Sequence, residues 1–331
     1  MKKIYLLMML LATVFVACSD DDDTEEDDSA NIPELPAEKL DYWNITMNVT
    51  VEGMDNYKSL LIIKFDTEVD SVDWGLGEGF EKAACTPVLN KGYEIRRNYY
   101  ETGNYIVKIK GHNSINKFYC NTGANFKAYT TYLDLSQCPT ITELDCNQNK
   151  IASLEISKNS NLRILSCNIN ALKSLDISKC INLEELYCSD NLLTSLDVSK
   201  NPKLSKLVCS SIGLTNNHNK LSSLDVSNCT NLVYLNCSDL GLTSLTINNC
   251  TKLEQLYCSS NQLTSLDINE CINLFELYCH DNKFTDSAMN SIYNSLPDRN
   301  TNETAGIIRL NRKDAQGNTT IALNKNWEIE Y

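Results

Sequence analysis

Seven leucines recur at nearly constant spacing through the middle of the chain, and each is followed two residues later by a cysteine. These leucines are Leu144, Leu165, Leu186, Leu207, Leu235, Leu256 and Leu277. The steps between them are 21 residues, apart from one step of 28. A second series keeps the same steps: Leu133, Leu154, Leu175, Leu196, Leu224, Leu245 and Leu266. A fixed period of this length predicts a solenoid, in which each repeat forms one coil and buries its apolar side against the next.

The residues inside one period define the kind of solenoid. One unit reads Leu183-x-x-Leu186-x-Cys188-x-x-Asn191-x-Leu193, which fits the pattern L-x-x-L-x-L-x-x-N/C-x-L with cysteine at the third apolar position. The repeated region therefore resembles leucine-rich-repeat proteins of the internalin-like type. The resemblance implies a solenoid of short parallel strands with few helices over residues 113–284.

Each unit predicts its own local geometry. The alternation Leu-x-Cys predicts a short strand that points Leu and Cys inward and the residue between them outward. The asparagine that follows is expected to bond backbone groups left open at the turn; it recurs as Asn149, Asn170, Asn191, Asn261 and Asn282. Two coils carry Ile212 and Leu240 there, each followed by glycine, so a different local turn is expected. Residues 216–222 are assigned to the insertion behind the 28-residue step, as a surface loop.

The 15 cysteines fall into two repeat columns plus Cys18 and Cys85. We expect the column cysteines to be small buried hydrophobic residues with free thiols. Neighbouring coils would place these cysteines within disulfide-forming distance, so distance alone does not exclude disulfide bonds between them. No C-x-x-C motif occurs, and the sequence predicts no metal site and no cofactor.

The N-terminus predicts export and lipid anchoring. Residues 1–17 form a signal peptide with two lysines and an apolar run too short to span a bilayer comfortably. The segment ending at Cys18 resembles a bacterial lipobox, which implies that Cys18 is lipidated. Residues 18–40 then form an acidic tether, with ten carboxylates and no basic residue between positions 19 and 38. Such an acidic run after the cysteine resembles the surface-export signal of Bacteroidetes lipoproteins. It implies the outer leaflet of the outer membrane, facing outward, with a periplasmic lipoprotein as the alternative.

Two further segments flank the repeats. Residues 41–112 contain alternating strand patterns, the turn Trp74-Gly75-Leu76-Gly77 and a later Gly-x-Tyr-x-Val strand. These pieces resemble the PKD-like (Ig-fold) modules of bacterial surface proteins and predict a small antiparallel β-sandwich. Residues 285–331 break the repeat. They are expected to form a C-terminal cap with a helix from Thr285 to Leu296, and they resemble caps of Bacteroides leucine-rich-repeat lipoproteins.

The outward strand positions are the candidate ligand-binding surface, because eight predicted coils would make a face about 35 Å long. Such a face suits a macromolecule better than a metabolite. Its most distinctive patch comprises Tyr187, Tyr234, Tyr257, Tyr278, Glu276 and His280. Tyrosine contributes both to protein-binding hot spots and to stacking on sugars. It also suits an exposed strand for reasons of propensity alone.

Several functions are disfavoured by composition and motifs. A net charge of −14 argues against nucleic-acid binding, which needs a basic face. The chain has three histidines and none of the common catalytic motifs, so we expect no catalytic residues and no enzyme activity. The favoured hypothesis is a monomeric adhesin or receptor-like lipoprotein that binds a protein through its concave strand face and touches the membrane only through its lipid. The alternatives are a glycan-binding lipoprotein and a structural partner in envelope assembly.

Overall fold

The computed structural model describes most of the chain after residue 42. The described ranges are 43–52, 59–88, 92–112, 114–121, 127–211, 218–301, 304–314 and 316–331. The predicted signal peptide, Cys18 and the tether lie outside them. Within the described residues, no helix has the length and apolar character needed to cross a membrane.

The repeats fold into a parallel-strand solenoid, which confirms the predicted fold class. Its coils contribute ten strands to one parallel ladder within sheet B: β8 (Lys117–Tyr119), β10 (Glu143–Asp145), β11 (Ile164–Ser166), β12 (Glu185–Tyr187), β13 (Lys206–Val208), β15 (Tyr234–Asn236), β17 (Gln255–Tyr257), β18 (Glu276–Tyr278), β19 (Gly306–Arg309) and β20 (Trp327–Glu330). The recurrent leucines are in register, with Leu144 opposite Leu165 and Leu165 opposite Leu186. On the other side of the coils, β14 (Ser223–Asp225) and β16 (Ser244–Thr246) form the short parallel sheet C.

Leucines and cysteines from both columns fill the interior of the coils. Leu186 and Cys188 are fully buried, as are their counterparts in neighbouring coils. The 14 described cysteines are all free thiols, and all except half-buried Cys85 are buried. Burial raises the pKa of the column thiols, for example that of Cys209 to about 12. These groups therefore stay protonated and pack as apolar residues.

The asparagines close the turn after each strand, as the sequence predicts. The Nδ2 of Asn191 donates to the carbonyl oxygens of Cys167 (2.9 Å) and Cys188 (3.1 Å), while its Oδ1 accepts the N–H of Leu172 (3.0 Å). Each asparagine thus bonds two adjacent coils. This network satisfies backbone groups that would otherwise be buried without a partner.

The long repeat contradicts the predicted position of the insertion. Buried Asn219 takes the asparagine role in that coil, since its Nδ2 donates to Cys188 O (2.9 Å) and Cys209 O (3.0 Å). Leu221 is fully buried two residues later, as Leu193 is in the preceding coil. Residues 219–222 are therefore part of the regular repeat, and the extra seven residues precede Asn219. The assignment to 216–222 was wrong because Ile212 was aligned with the asparagine column.

At Leu240 the expected local change is present. Leu240 is buried, and the N–H groups of Leu240 and Leu242 both donate to Oδ1 of Asn261 in the next coil, at 3.2 and 2.9 Å. Gly241 has φ +81°, a conformation that glycine adopts without a Cβ clash. Without an asparagine at position 240, the turn therefore uses Asn261 of the next coil as an acceptor for two N–H groups and a glycine conformation at position 241.

The N-terminal module is a β-sandwich that shares a sheet with the solenoid. Its strands are β1 (Trp43–Val51), β2 (Ser59–Phe65), β3 (Ser71–Asp73), β4 (Glu81–Lys82), β5 (Thr86–Val88), β6 (Gly92–Tyr99), β7 (Gly103–Gly111) and β9 (Ala128–Asp134). Antiparallel sheet A has the order β4-β3-β7-β1-β9. Strand β2 pairs antiparallel with β8, so sheet B runs without a break from the solenoid into β2, β6 and β5. Trp43 packs against Phe65 between the two sheets, with ring centroids 6.2 Å apart.

The C-terminal segment continues the solenoid by two more strands. Helix α1 (Asp286–Ser295) has Thr285 as its N-cap, and the threonine side chain accepts the N–H of Ala288. A short helix α2 (Thr320–Leu323) precedes β20. Strands β19 and β20 pair in parallel at an offset of 21 residues, with Gly306 opposite Trp327. The cap therefore contains two atypical coils, and it lengthens the strand face beyond the predicted eight.

Candidate ligand-binding face

The outward side chains of the ten parallel strands form one surface, which we call the strand face. Each strand places one such side chain before its inward residue and one after it; in β18 these are Glu276 and Tyr278, on either side of buried Leu277. Ten strands about 4.8 Å apart make the face about 43 Å long. The sheet fixes the backbone of every outward residue, so the face is organised before any ligand arrives.

Three of the predicted tyrosines form a continuous aromatic cluster. The ring centroids of Tyr234 and Tyr257 lie 5.2 Å apart, and those of Tyr257 and Tyr278 lie 4.7 Å apart with the rings edge to face. We call these three residues the tyrosine ladder. All three are half-buried. Strands β15, β17 and β18 are consecutive in sheet B, and parallel register places the rings within contact distance.

Glu276 lies at the centre of the ladder. Its carboxylate accepts a hydrogen bond from Gln255 Nε2, and the same nitrogen donates to the Tyr257 hydroxyl oxygen (3.2 Å). Burial, then the nearby Glu276 carboxylate, raises the pKa of Tyr257 and Tyr278. Both hydroxyl groups therefore remain protonated. Gln255 thus links the Glu276 carboxylate to the hydroxyl group of Tyr257.

Two cations of the chain lie at the ends of the ladder. The Nζ of Lys206 lies 5.1 Å from the ring centre of Tyr234 and 5.3 Å from that of Tyr187. At the other end, the guanidinium of Arg309 lies 4.5 Å from the ring centre of Tyr278 and pairs with Glu330 at 2.7 Å. Tyr187 thus joins the ladder through Lys206, and its own hydroxyl donates to Glu185 (2.6 Å).

His280 lies apart from these contacts. Its Nδ1 lies 2.8 Å from the Asp281 carboxylate. Asp281 in turn accepts from Asn311 (2.8 Å), and its N–H donates to Asp314. His280 therefore belongs to a polar network at the start of the cap, although it is close in sequence to the ladder.

Sequence reasoning missed the cations and the amide that organise the site. Lys206 and Gln255 were visible in the outward columns, but only a register between strands shows that they touch the tyrosines. Arg309 and Glu330 were outside the recognised repeat. The available signal was the 21-residue offset between the Ile307-Ile308 and Glu328-Ile329 pairs.

A second, smaller cluster lies near the other end of the face. The Tyr119 hydroxyl donates to Glu143 (2.8 Å), and the Lys117 ammonium pairs with the same carboxylate (2.6 Å). Burial raises the pKa of Glu143, but the bonds from Lys117 and Tyr119 outweigh it and leave this pKa lowered. This carboxylate is therefore already neutralised within the chain.

Among the residues that the structure describes, no group of three or more His, Cys, Asp or Glu side chains is arranged to hold a metal ion. The strand face instead offers aromatic surface, hydrogen-bonding groups and isolated charges.

Comparisons with known proteins give only distant structural similarities. No family model and no curated protein matches the chain. Among solved structures, the functional domain of InlJ from Listeria monocytogenes, which includes a cysteine ladder, is 25% identical, with 66% of this chain and 54% of that chain covered and a TM-score of 0.40. A leucine-rich-repeat protein from Leptospira interrogans is 20% identical, with 60% and 50% covered and a TM-score of 0.40. Internalin C2 from Listeria monocytogenes is 20% identical, with 52% and 74% covered and a TM-score of 0.38.

The chain matches about half the length of the first two of these structures. With TM-scores this low, the class follows from the chain's own register and repeats: it is a leucine-rich-repeat solenoid protein with an N-terminal β-sandwich.

Proposed function

We propose that this chain is a non-enzymatic, adhesin- or receptor-like lipoprotein that binds a protein through the strand face. The tyrosine ladder with Glu276 carries this proposal. Half-buried tyrosines whose rings pack against one another lose little side-chain entropy on binding, and tyrosine is enriched at the centres of protein interfaces. A face about 43 Å long suits a macromolecular partner.

The cellular part of the proposal is supported by the sequence. The apolar segment before Cys18 and the acidic run after it favour a lipid anchor and export to the outside of the outer membrane. The segment around Trp74 favours a PKD-like module of the kind found in bacterial surface proteins. In this proposal the lipid on Cys18 is the only membrane contact.

Binding is tested with the full-length chain on parallel panels of host matrix proteins and of mucin and plant glycans. A variant with Tyr187→Ala, Tyr257→Ala and Tyr278→Ala is run beside it, with Tyr132→Ala as control. Tyr132 is an exposed tyrosine on sheet A, away from the strand face. Protein binding that the triple variant loses and the control keeps supports the proposal. Tyrosine-dependent binding to glycans alone would replace the protein ligand with a sugar, and binding unchanged in the triple variant would refute the site.

Anchoring is tested separately by Cys18→Ala in cells. The expected result is that the wild type fractionates with the outer membrane and is cleaved by external protease, whereas Cys18→Ala leaves the membrane fraction. Protection of the wild-type protein in intact cells would place it on the periplasmic side instead.

A further inference from the structure

Glu276 is a half-buried carboxylate that forms no close ion pair with a cation among the described residues. It accepts a hydrogen bond from the neutral amide of Gln255, and the hydroxyl groups of Tyr257 and Tyr278 lie near it. Among the described residues, no Lys, Arg or His nitrogen lies within 4.0 Å of its oxygens, whereas Glu143 and Glu330 on the same face are each paired. A partly desolvated carboxylate without a counter-ion attracts a cation more strongly than a fully hydrated one does.

The rings around Glu276 favour the same kind of group. A tyrosine ring face attracts an ammonium or guanidinium group, and the chain itself uses this contact at both ends of the ladder, through Lys206 and Arg309. Tyr257, between them, has no such cation over its ring among the described residues. The centre of the ladder therefore combines an unpaired carboxylate with an aromatic wall that lacks a cation.

The charge of the whole face points in the same direction. The outward positions of the ten strands carry three cations (Lys117, Lys206 and Arg309) and six carboxylates (Glu143, Asp145, Glu185, Glu276, Glu328 and Glu330). A net negative face repels anionic ligands such as sulfated glycans and attracts basic ones.

We propose that the partner inserts a lysine or arginine side chain at the centre of the tyrosine ladder, where its charge pairs with Glu276 and its apolar stem or guanidinium plane packs on Tyr257. This inference rests on the proposed function, because it names the chemistry of the protein partner at the same site.

The test is selection of random dodecapeptides displayed on phage against the full-length chain, with counter-selection against the Glu276→Gln variant. Glutamine is isosteric and its carbonyl oxygen can still accept the hydrogen bond from Gln255, so we expect the fold and the ladder to be preserved. The matched control is Glu254→Gln, which removes one exposed carboxylate from the segment just before β17. The chain is acidic overall, and this control separates general attraction of basic peptides from a specific pair.

The expected result is a set of peptides with one constant lysine or arginine, whose affinity falls about tenfold or more in Glu276→Gln and changes by about twofold or less in Glu254→Gln. Equal losses in the two variants would overturn the inference. Peptides without a basic residue whose binding still needs Tyr257 would also overturn it, but would leave the proposed function standing. Peptide binding that is unchanged by Tyr257→Ala would refute both the inference and the proposed function at this site. A selection that yields no peptide above background would do the same.

Discussion

At the scale of single residues, the solenoid depends on a few side chains that complete the backbone. Asn191 is fully buried and bonds two carbonyls and one N–H from adjacent coils. We expect Asn191→Ala to lower the free energy of unfolding by about 3 kcal/mol, because each buried group left without a partner costs about 1–3 kcal/mol. Urea unfolding followed by circular dichroism measures the change.

The control for this prediction is Asn182→Ala in the same coil. Asn182 is half-buried; its Nδ2 donates to Ser160 O (3.1 Å) and its Oδ1 accepts from Lys203 Nζ (2.7 Å). Both bonds lie at the surface, where water can replace them. We expect its unfolding midpoint to stay near that of the wild type. Similar losses in the two variants would mean that asparagine acts through helix or turn propensity rather than through the buried network.

Ile169 occupies a backbone conformation that a β-branched residue adopts only at a cost. It has φ +54°, in the column where other coils place Gln148, Asp190 and Ser260 with the same sign of φ. We expect Ile169→Asn to raise the free energy of unfolding by about 1 kcal/mol, because the left-handed conformation costs most L-residues about 1–2 kcal/mol and asparagine least. The matched change Ile164→Asn, in extended strand β11, should not stabilise; a gain in both would point to lost apolar exposure instead.

The buried thiols give a prediction about reactivity. Burial raises the pKa of the column cysteines, to about 12 for Cys120 and Cys258, so at pH 8 they carry almost no reactive thiolate. We expect iodoacetamide to leave the 13 buried cysteines unmodified in the folded protein. In denaturant without reductant, all 14 described cysteines should react. Intact-mass measurement counts the modified cysteines in both states. Fewer modified cysteines than 14 after denaturation would show that some form disulfide bonds.

At the scale of elements, the sequence predicted the coils wherever each column kept its residue type. The columns of leucine, cysteine and asparagine specify strand, interior and turn, so register followed from counting. Prediction failed where another residue took over a role. Asn219 restores the asparagine bond after seven extra residues, and Ile308 and Ile329 replace leucine in the cap strands. These substitutions preserve the physical role but change the residue type by which the repeat pattern is recognised in the sequence.

The position of the insertion can be tested by deletion. Removing residues 212–218 joins Ser211 to Asn219 and restores the spacing from Cys209 to the asparagine that other coils have. We expect this variant to unfold within about 1 kcal/mol of the wild type, since long surface insertions cost little. Removing residues 216–222 deletes the buried Asn219 and Leu221 and should prevent cooperative folding. Equal stability of the two deletion variants would contradict the structure and favour the predicted insertion at residues 216–222.

At the scale of the whole molecule, the sequence suggested two modules with a boundary near residue 112, and hydrogen bonding across that boundary was not visible in it. Strand β2 of the sandwich pairs with β8, and β9 follows β8 in the chain but pairs with β1 in sheet A. Pairing between strands distant in sequence has no local signature in a nonrepetitive segment. The same limit applies to the candidate site: the tyrosines were predicted from the columns, whereas their contacts with Lys206 and Arg309 required the assembled sheet.

Continuity of sheet B has a consequence for unfolding. Phe65 of β2 packs on Phe118 of β8, with ring centroids 5.5 Å apart and both rings fully buried. If the shared sheet and this contact make residues 43–331 one cooperative unit, the two ends of the molecule unfold together. The tryptophans allow each end to be followed alone. Trp43 and Trp74 report on the sandwich in a Trp327→Phe background, and Trp327 reports on the cap in a Trp43→Phe, Trp74→Phe background.

We expect the two reporters to show the same urea midpoint, and Phe65→Ala to lower both midpoints together, by about 3–5 kcal/mol in free energy. Phe80→Ala is the control, because Phe80 is 41% exposed and its loss should move neither midpoint appreciably. A shift of the sandwich midpoint alone, with the cap reporter unchanged, would mean that the two modules fold independently. A joint shift would mean that the sandwich serves as the N-terminal cap of the solenoid, because the apolar end of the first coil is then covered only while β2 and β8 remain paired.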